Sequence, residues 1–280
     1  MIIWIASYPK SGNTWVRSFI TAYYFCENGI FDINKLNLIE DYPNKQFFKE
    51  KVKQGEIHKH WETSQKDILD QKKVKFLKTH NSLITAFGKN FTKPEYSLGV
   101  IYVIRDPRNV ITSVKNHNDL DSYDEALKFM QDENKVLEDY PYLNNYAKTN
   151  IVNSWRINYK SWLSSKSFKR LIIKYEDMVK NPTQTFEKLV VFVNTLMRFD
   201  NKIDKNKLKN AIDTTNFKSL QNIENAGKFG ENVYSLKDNR KIKFFYQGPE
   251  NDWKKNLDEN MIKKMSEYYQ DDLKFFQYEN

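Results

Sequence analysis

Residues 1–15 read Met1-Ile2-Ile3-Trp4-Ile5-Ala6-Ser7-Tyr8-Pro9-Lys10-Ser11-Gly12-Asn13-Thr14-Trp15. The first seven form a continuous apolar run, the pattern of a strand buried on both faces of a parallel sheet. A polar turn from Tyr8 to Asn13 follows, then a helical segment from Thr14 to about Cys26. Strand, tight turn and helix make half of a βαβ unit.

Three more segments extend this pattern. Val74–Thr79, Gly99–Ile104 and Arg170–Tyr175 are rich in β-branched or aromatic residues and run into polar ones, as strands do. Pro107 suits the first turn of a helix carrying Val110, Ile111 and Val114. Asn181-Pro182 opens another, with Phe186, Leu189, Val190 and Phe192. The alternation predicts an α/β fold with a central parallel sheet flanked by helices. Residues 27–73, 116–150 and 222–245 lack clear periodicity and are expected to cover the carboxyl edge of the sheet. With no internal repeat and no linker rich in Gly, Pro or Ser, a single domain over residues 1–280 is expected.

Composition sets the class. Hydrophobic residues at 40% and aromatics at 15% suffice for a sizeable core, so disorder is not expected. The net charge of +9 favours an anionic partner. Acids and bases are intermixed, as in Asp204-Lys205-Asn206-Lys207, which argues against a nucleic-acid stripe. Cys26, the only cysteine, excludes an intrachain disulfide and reads as a packed helix residue. No signal-like leader and no apolar stretch of about 18 residues is seen, so a cytoplasmic protein without a membrane span is expected.

The turn carries chemistry. Between a buried strand and a helix start, free N–H groups and the helix dipole favour a phosphate. Lys10 adds a full charge, and Ser11 and Thr14 add hydroxyls. The spacing is not that of a Walker A loop, which would have marked a P-loop-like small-molecule kinase. An ordinary strand–helix turn remains the alternative at this point.

Residues 8–15 resemble the 5′-phosphosulfate loop of the cytosolic-type sulfotransferases, usually Tyr-Pro-Lys-Ser-Gly-Thr-Thr-Trp, with Asn13 in place of a Thr. Residues 102–113 resemble that family's 3′-phosphate motif, in which Arg105 ends a strand and Ser113 follows eight residues later. An Arg at a strand's carboxyl end can fork onto a phosphate in the crevice where α/β folds bind ligands. Arg108 is expected to be a surface or salt-bridged residue. Phe76-Leu77-Lys78-Thr79-His80 resembles the Lys-Thr-His motif; residues two apart on a strand share a face, so Lys78 and His80 lie together. Tyr175-Glu176-Asp177, Thr215-Asn216-Phe217 and Gly248 with Trp253 match more weakly.

The resemblance implies a P-loop-NTPase-like sulfotransferase fold using 3′-phosphoadenosine 5′-phosphosulfate (PAPS) as donor, with adenosine 3′,5′-bisphosphate (PAP) as product and no metal required. It implies cofactor contacts from Lys10, Ser11, Gly12, Asn13, Thr14, Trp15, Arg105, Ser113, Tyr175, Thr215, Phe217 and Gly248. Trp15 and Phe217 would wall the base. Catalysis is implied for His80 as general base, with Lys10 on the leaving phosphate, Lys78 on the sulfuryl oxygens and Ser113 restraining Lys10. The acceptor is expected to be a small molecule, lipid or carbohydrate, for which Trp61, Tyr140, Tyr142 and Tyr146 are candidate pocket or core residues. One departure stands out: Tyr246 and Gln247 occupy the family's Arg and Lys positions before Gly248, and Arg240, Lys241 or Lys243 are the candidate substitutes. An inactive, nucleotide-binding relative is the alternative function. A homodimer is left open, since the short C-terminal dimerisation motif of some relatives has no clear copy here.

Overall fold

The computed structural model describes residues 1–49, 52–53, 55–139, 148–200, 202–231, 233–235 and 237–278. Tyr140, Tyr142 and Tyr146 lie outside the described residues. Strands β1 (Ile2–Ser7), β2 (Glu40–Asp41), β3 (Lys75–Thr79), β4 (Thr85–Ala86), β5 (Lys89–Asn90), β6 (Ser97–Ile104), β7 (Val136–Asp139), β8 (Lys148–Ile151) and β9 (Lys169–Lys174) precede two short C-terminal strands. Helices α1 (Asn13–Ile20), α2 (Trp61–Asp70), α3 (Pro107–His117), α4 (Tyr123–Gln131), α5 (Trp155–Ser164), α6 (Tyr175–Lys180), α7 (Pro182–Met197), α8 (Lys205–Thr215) and α9 (Phe217–Asn225) are followed by three near the C-terminus.

Five strands form one all-parallel sheet in the order β2-β3-β1-β6-β9. Alternation along β1 explains its all-apolar sequence. Ile2, Trp4 and Ala6 enter a core with Tyr102, Val110 and Trp155, whereas Ile3 and Ile5 enter a second core with Val16, Phe19, Phe186 and Val190. Both faces are covered, as a parallel sheet requires. β3 lies on one side of β1 and β6 on the other, so the chain changes direction across β1. That switch point leaves a crevice at the carboxyl ends of β1, β3 and β6.

The four expected strands are present with small shifts at their ends. The first helix is longer than its α-helical part, continuing through a π-helical turn at Thr21–Phe25 to Cys26, which is buried. Residues 27–73 do more than cover an edge: they add β2 to the sheet and place Trp61 and Ile68 in the core. Trp61 is fully buried, 5.3 Å from the Phe91 ring, and belongs to the packing.

Candidate active site

The crevice opens into a cavity of about 1080 Å³ at the carboxyl edge of the sheet. Pro9, Lys10 and Gly12 of the Tyr8–Gly12 turn line it. Lys10 and Gly12 both adopt positive φ, 65° and 101°, which curls the loop around the start of α1. A Cβ on Gly12 would lie 2.6 Å from the Tyr175 ring, so this position admits no side chain. Helix α1 begins with no side-chain cap and no acidic residue in its first turn. Trp15 and Val16 donate to the Gly12 carbonyl, so the N–H groups of Asn13 and Thr14 are the ones left for whatever fills the loop. Ser11 is fully buried and its hydroxyl has no partner among the described residues.

Asn13 turns inward. Its Nδ2 donates to the Ile5 carbonyl (3.0 Å) and the Ser7 hydroxyl (3.2 Å), tying the loop to β1. Thr14 and Trp15 line the cavity, and Trp15 packs edge-on against Tyr175 with ring centres 5.7 Å apart.

Lys10 Nζ lies 3.2 Å from His117 Nδ1 and 3.9 Å from the centre of the Phe244 ring. Burial lowers the Lys10 ammonium to about 7, against the pull of Glu231 and Glu224. Burial, reinforced by Lys10, lowers His117 to about 2, so its neutral ring accepts from the ammonium. His117 was not singled out from sequence. It stands one helical turn after Ser113, at i+4 on the same face of α3, which is the signal that marks it. Ser113 itself bonds elsewhere: Arg105 Nη1 donates to its Oγ at 3.4 Å. Lys10 is thus held by His117 rather than by Ser113.

His80 lines the cavity at the end of β3. Its Nδ1 lies 2.8 Å from the Ser7 carbonyl oxygen, an acceptor only, so Nδ1 carries the proton and Nε2 is the free lone pair. The His80 backbone is pinned on both sides, its N–H donating to Asn150 Oδ1 (3.2 Å) and its carbonyl accepting from Asn158 Nδ2 (3.0 Å). Burial, with the charge of Lys78, lowers the ring to about 3, and it stays neutral at any ordinary pH.

Lys78 donates to Asp41 Oδ2 at 2.9 Å, and Lys148 donates to the same oxygen at 2.9 Å. Burial pushes the Asp41 carboxyl up, but the two lysines override it and hold it below the usual carboxylate range. Asp41, on the short edge strand β2, is the second residue missed from sequence. Glu231 pairs with the buried Arg17 at 2.6 Å and lines the cavity.

On the other side Arg105 stacks over Tyr175, 4.0 Å from the ring centre, and donates through Nη2 to the Gly248 carbonyl at 2.8 Å. Phe217 and Gly248 line the cavity, and Phe217 shares with Trp15 a second, smaller recess of about 370 Å³. The segment bearing Phe244 to Gly248 is held by Glu224, whose two oxygens accept from the N–H groups of Phe244 (2.6 Å) and Phe245 (2.9 Å).

Several sequence expectations need revision. Thr215 is fully buried with its hydroxyl donating back to the Ala211 carbonyl, and neither it nor Ser11 lines the cavity. Arg240, Lys241 and Lys243 are absent from the cavity wall, and Arg240 is paired with Asp119 and Asp238. Arg108, by contrast, is salt-bridged, one of the two states expected of it. It is buried, paired with Asp106 at 2.8 Å, and stacked 4.0 Å from the Trp253 ring centre. Tyr246 and Gln247 do line the cavity, though Gln247 Oε1 accepts from Asn256.

The family model for the sulfotransferase domain matches residues 2–277. The chain is 25% identical to human sulfotransferase 1E1 over 287 residues, covering 96% of this chain and 83% of that protein. It is 24% identical to flavonol 3-sulfotransferase of Flaveria bidentis, covering 97% and 81%. Against luciferin sulfotransferase of Photinus pyralis it is 23% identical, covering 94% and 69%. The fold matches mouse sulfotransferase SULT7A1 complexed with PAP, with a TM-score of 0.59 at 17% identity, covering 98% of this chain and 84% of that one. Retinol dehydratase in a complex with retinol and PAP gives a TM-score of 0.60 at 15% identity, covering 98% and 81%. With the family's domain running over nearly its whole length, the chain belongs to the sulfotransferase domain family and is an enzyme of that family.

Proposed function

We propose that this chain moves a sulfuryl group from PAPS to a hydroxyl or amine of a small-molecule, lipid or carbohydrate acceptor, with His80 as general base. The observation that carries the reading is the His80 tautomer: Nδ1–H is committed to the Ser7 carbonyl, leaving Nε2 as the ring's basic atom in a cavity beside Lys78. The cavity residues fit the donor. Two glycines whose Cβ atoms would collide with rings and the cations Lys10 and Arg105 are what an anionic nucleotide needs.

In this reading the Lys10–Trp15 loop holds the 5′-phosphosulfate, Arg105 and Ser113 the 3′-phosphate, and Trp15 and Phe217 the base. Bound PAPS supplies the sulfuryl group: a new O–S bond forms to the acceptor as the S–O bond to the 5′-phosphate breaks. His80 Nε2 takes the acceptor's proton. Lys10 stabilises charge on the departing phosphate oxygen, and Lys78 on the sulfuryl oxygens, the electrostatic work that positioned cations do in group transfer. No metal is needed for these roles. The reading further takes the chain as one domain over residues 1–280 acting in the cytoplasm.

The test pairs binding with turnover. Calorimetry should show PAP bound more tightly than ADP or Mg²⁺-ATP. His80→Ala should lose turnover by ~10²–10⁴-fold, the scale of general-base catalysis, while PAP affinity changes little. Equal loss of both would make His80 structural, and preference for Mg²⁺-ATP would overturn the donor assignment.

A further inference from the structure

Lysine is a long, flexible side chain, and an ammonium needed at one point of a reaction has to be held there. Lys10 leaves the loop from a left-handed backbone, and its ammonium meets two rings from distant parts of the chain. His117 Nδ1 lies 3.2 Å from Nζ, and the centre of the Phe244 ring lies 3.9 Å from it. The two rings themselves meet edge to face, with centres 5.8 Å apart. The segments that carry them are tied together. Asn116, next to His117 at the end of α3, donates through Nδ2 to the Lys243 carbonyl at 3.0 Å. On the far side the Glu224 carboxylate accepts from the N–H groups of Phe244 and Phe245. Helix α3, helix α9 and the 243–245 segment thus build a socket with Lys10 inside it.

The socket is selective for charge. An ammonium only donates, so Nδ1 is the acceptor and the His117 proton sits on Nε2. A hydrogen bond from a charged donor is stronger than one from a neutral amine, and a ring face attracts only the cation. Both contacts therefore favour protonated Lys10. They act against burial, the largest influence on this group, and alongside Glu231 and Glu224, whereas Lys78 and Arg105 oppose the charge. His117 itself stays neutral, held so by burial and by Lys10, Lys78 and Lys148 with His80 beside them. Ser113, one turn earlier on α3, receives Arg105 instead. Among the described residues His117 is the side chain that takes a hydrogen bond from Lys10 Nζ. An ammonium has three N–H donors, so this bond leaves two for an anion in the loop.

We propose that His117 is a positioning residue for the group transfer: through Nδ1 it holds the Lys10 ammonium in place in the empty and the nucleotide-bound protein alike. Phe244 closes the other side of the same socket. The proposal rests on the reading that sets Lys10 against the 5′-phosphate, and its test separates the two.

PAP affinity is measured by calorimetry at pH 5.5 and pH 8 for the wild type, His117→Leu, His117→Asn and Lys10→Ala. His80 and His117 stay neutral over this range, and the titration of PAP itself is common to all four proteins. Ratios to wild type therefore report Lys10. Loss of one hydrogen bond to the charged form should lower the proton affinity of Lys10 about tenfold, or ~1 pH unit. His117→Leu should then bind PAP within about twofold of wild type at pH 5.5 and ~10-fold more weakly at pH 8. His117→Asn, whose carboxamide oxygen stands where Nδ1 stood, should return to within about threefold of wild type at pH 8. Equal loss at both pH values in His117→Leu is the mark of a merely structural residue and overturns the proposal. Tighter binding at pH 5.5 with no change at pH 8 overturns it too, since the ammonium would then be leaving His117 for the phosphate. An Asn variant as weak as the Leu variant does the same. Lys10→Ala binding PAP like wild type would overturn the placement of Lys10 on the phosphate, and the proposal with it.

Discussion

Gly248→Ala offers a sharp test of how the nucleotide side of the cavity is built. Gly248 sits at φ 55°, and a Cβ there would lie 2.2, 2.3 and 2.5 Å from three atoms of the Phe217 ring. Carbon atoms in contact normally stand about 3.5–4.0 Å apart, so ring and backbone must separate by more than about 1 Å. The left-handed backbone adds about 1 kcal/mol against any residue other than glycine. Two escapes exist. If the ring retreats, the base loses a wall, and stacking on an aromatic is worth about 1–3 kcal/mol. If the backbone retreats instead, the Gly248 carbonyl leaves Arg105 Nη2, now 2.8 Å away, and a bond to a charged donor worth about 1.5–3 kcal/mol is lost. Either way PAP affinity should fall by ~5–150-fold. Parallel calorimetric titration with PAP and adenosine 5′-phosphate tells the escapes apart. A displaced ring weakens both ligands alike, whereas a displaced Arg105 weakens PAP more. Unchanged affinity for both ligands in a folded variant would refute the placement of base and 3′-phosphate around Phe217, Gly248 and Arg105.

Other expectations concern Lys10 and the loop that covers it. With its ammonium lowered to about 7, the free protein loses that charge as pH rises through neutrality. PAP affinity should therefore weaken between pH 7 and pH 9, by up to ~50-fold for a site needing the protonated form. Binding at pH 8 should take up protons, measurable by calorimetry in buffers of different ionisation enthalpy, and zero uptake would remove Lys10 from the phosphate site. Lys10→Arg should abolish this pH dependence, because arginine keeps its charge throughout. Glu224→Gln sets an amide N–H₂ against one of two backbone donors that now share the carboxylate. The cost of about 1–3 kcal/mol for a mispaired buried group should appear as a lower Tm and weaker PAP binding. A variant matching wild type in both would show that this clamp does not set the Phe244–Gly248 segment.

The parts of the site legible in the sequence are those fixed by local rules. β1 announces itself because a strand buried on both faces has no polar position to spare. Gly12 is required where the loop turns under Tyr175, and Lys78 and His80 share a face because strand residues alternate. What escaped is set by packing between distant segments. β2 is two residues long, too short to show any period, yet it brings Asp41 to Lys78 across 37 positions of sequence. His117 meets Lys10 from 107 residues away, and Glu224 reaches Phe244 from 20. Direction is likewise invisible in a residue's type: Thr215 turns its hydroxyl onto its own helix, and Arg240 is spent on two aspartates. Beside Tyr246 and Gln247, none of Arg240, Lys241 and Lys243 lines the cavity, and Arg105 is the cation that donates to the Gly248 carbonyl. Arg105 is also the guanidinium stacked on Tyr175, whose ring packs on Trp15. In the proposed reading, holding the 3′-phosphate and shaping the base pocket converge on one side chain, so Arg105→Lys, which keeps charge but loses the planar fork, should weaken PAP binding more than charge alone would explain.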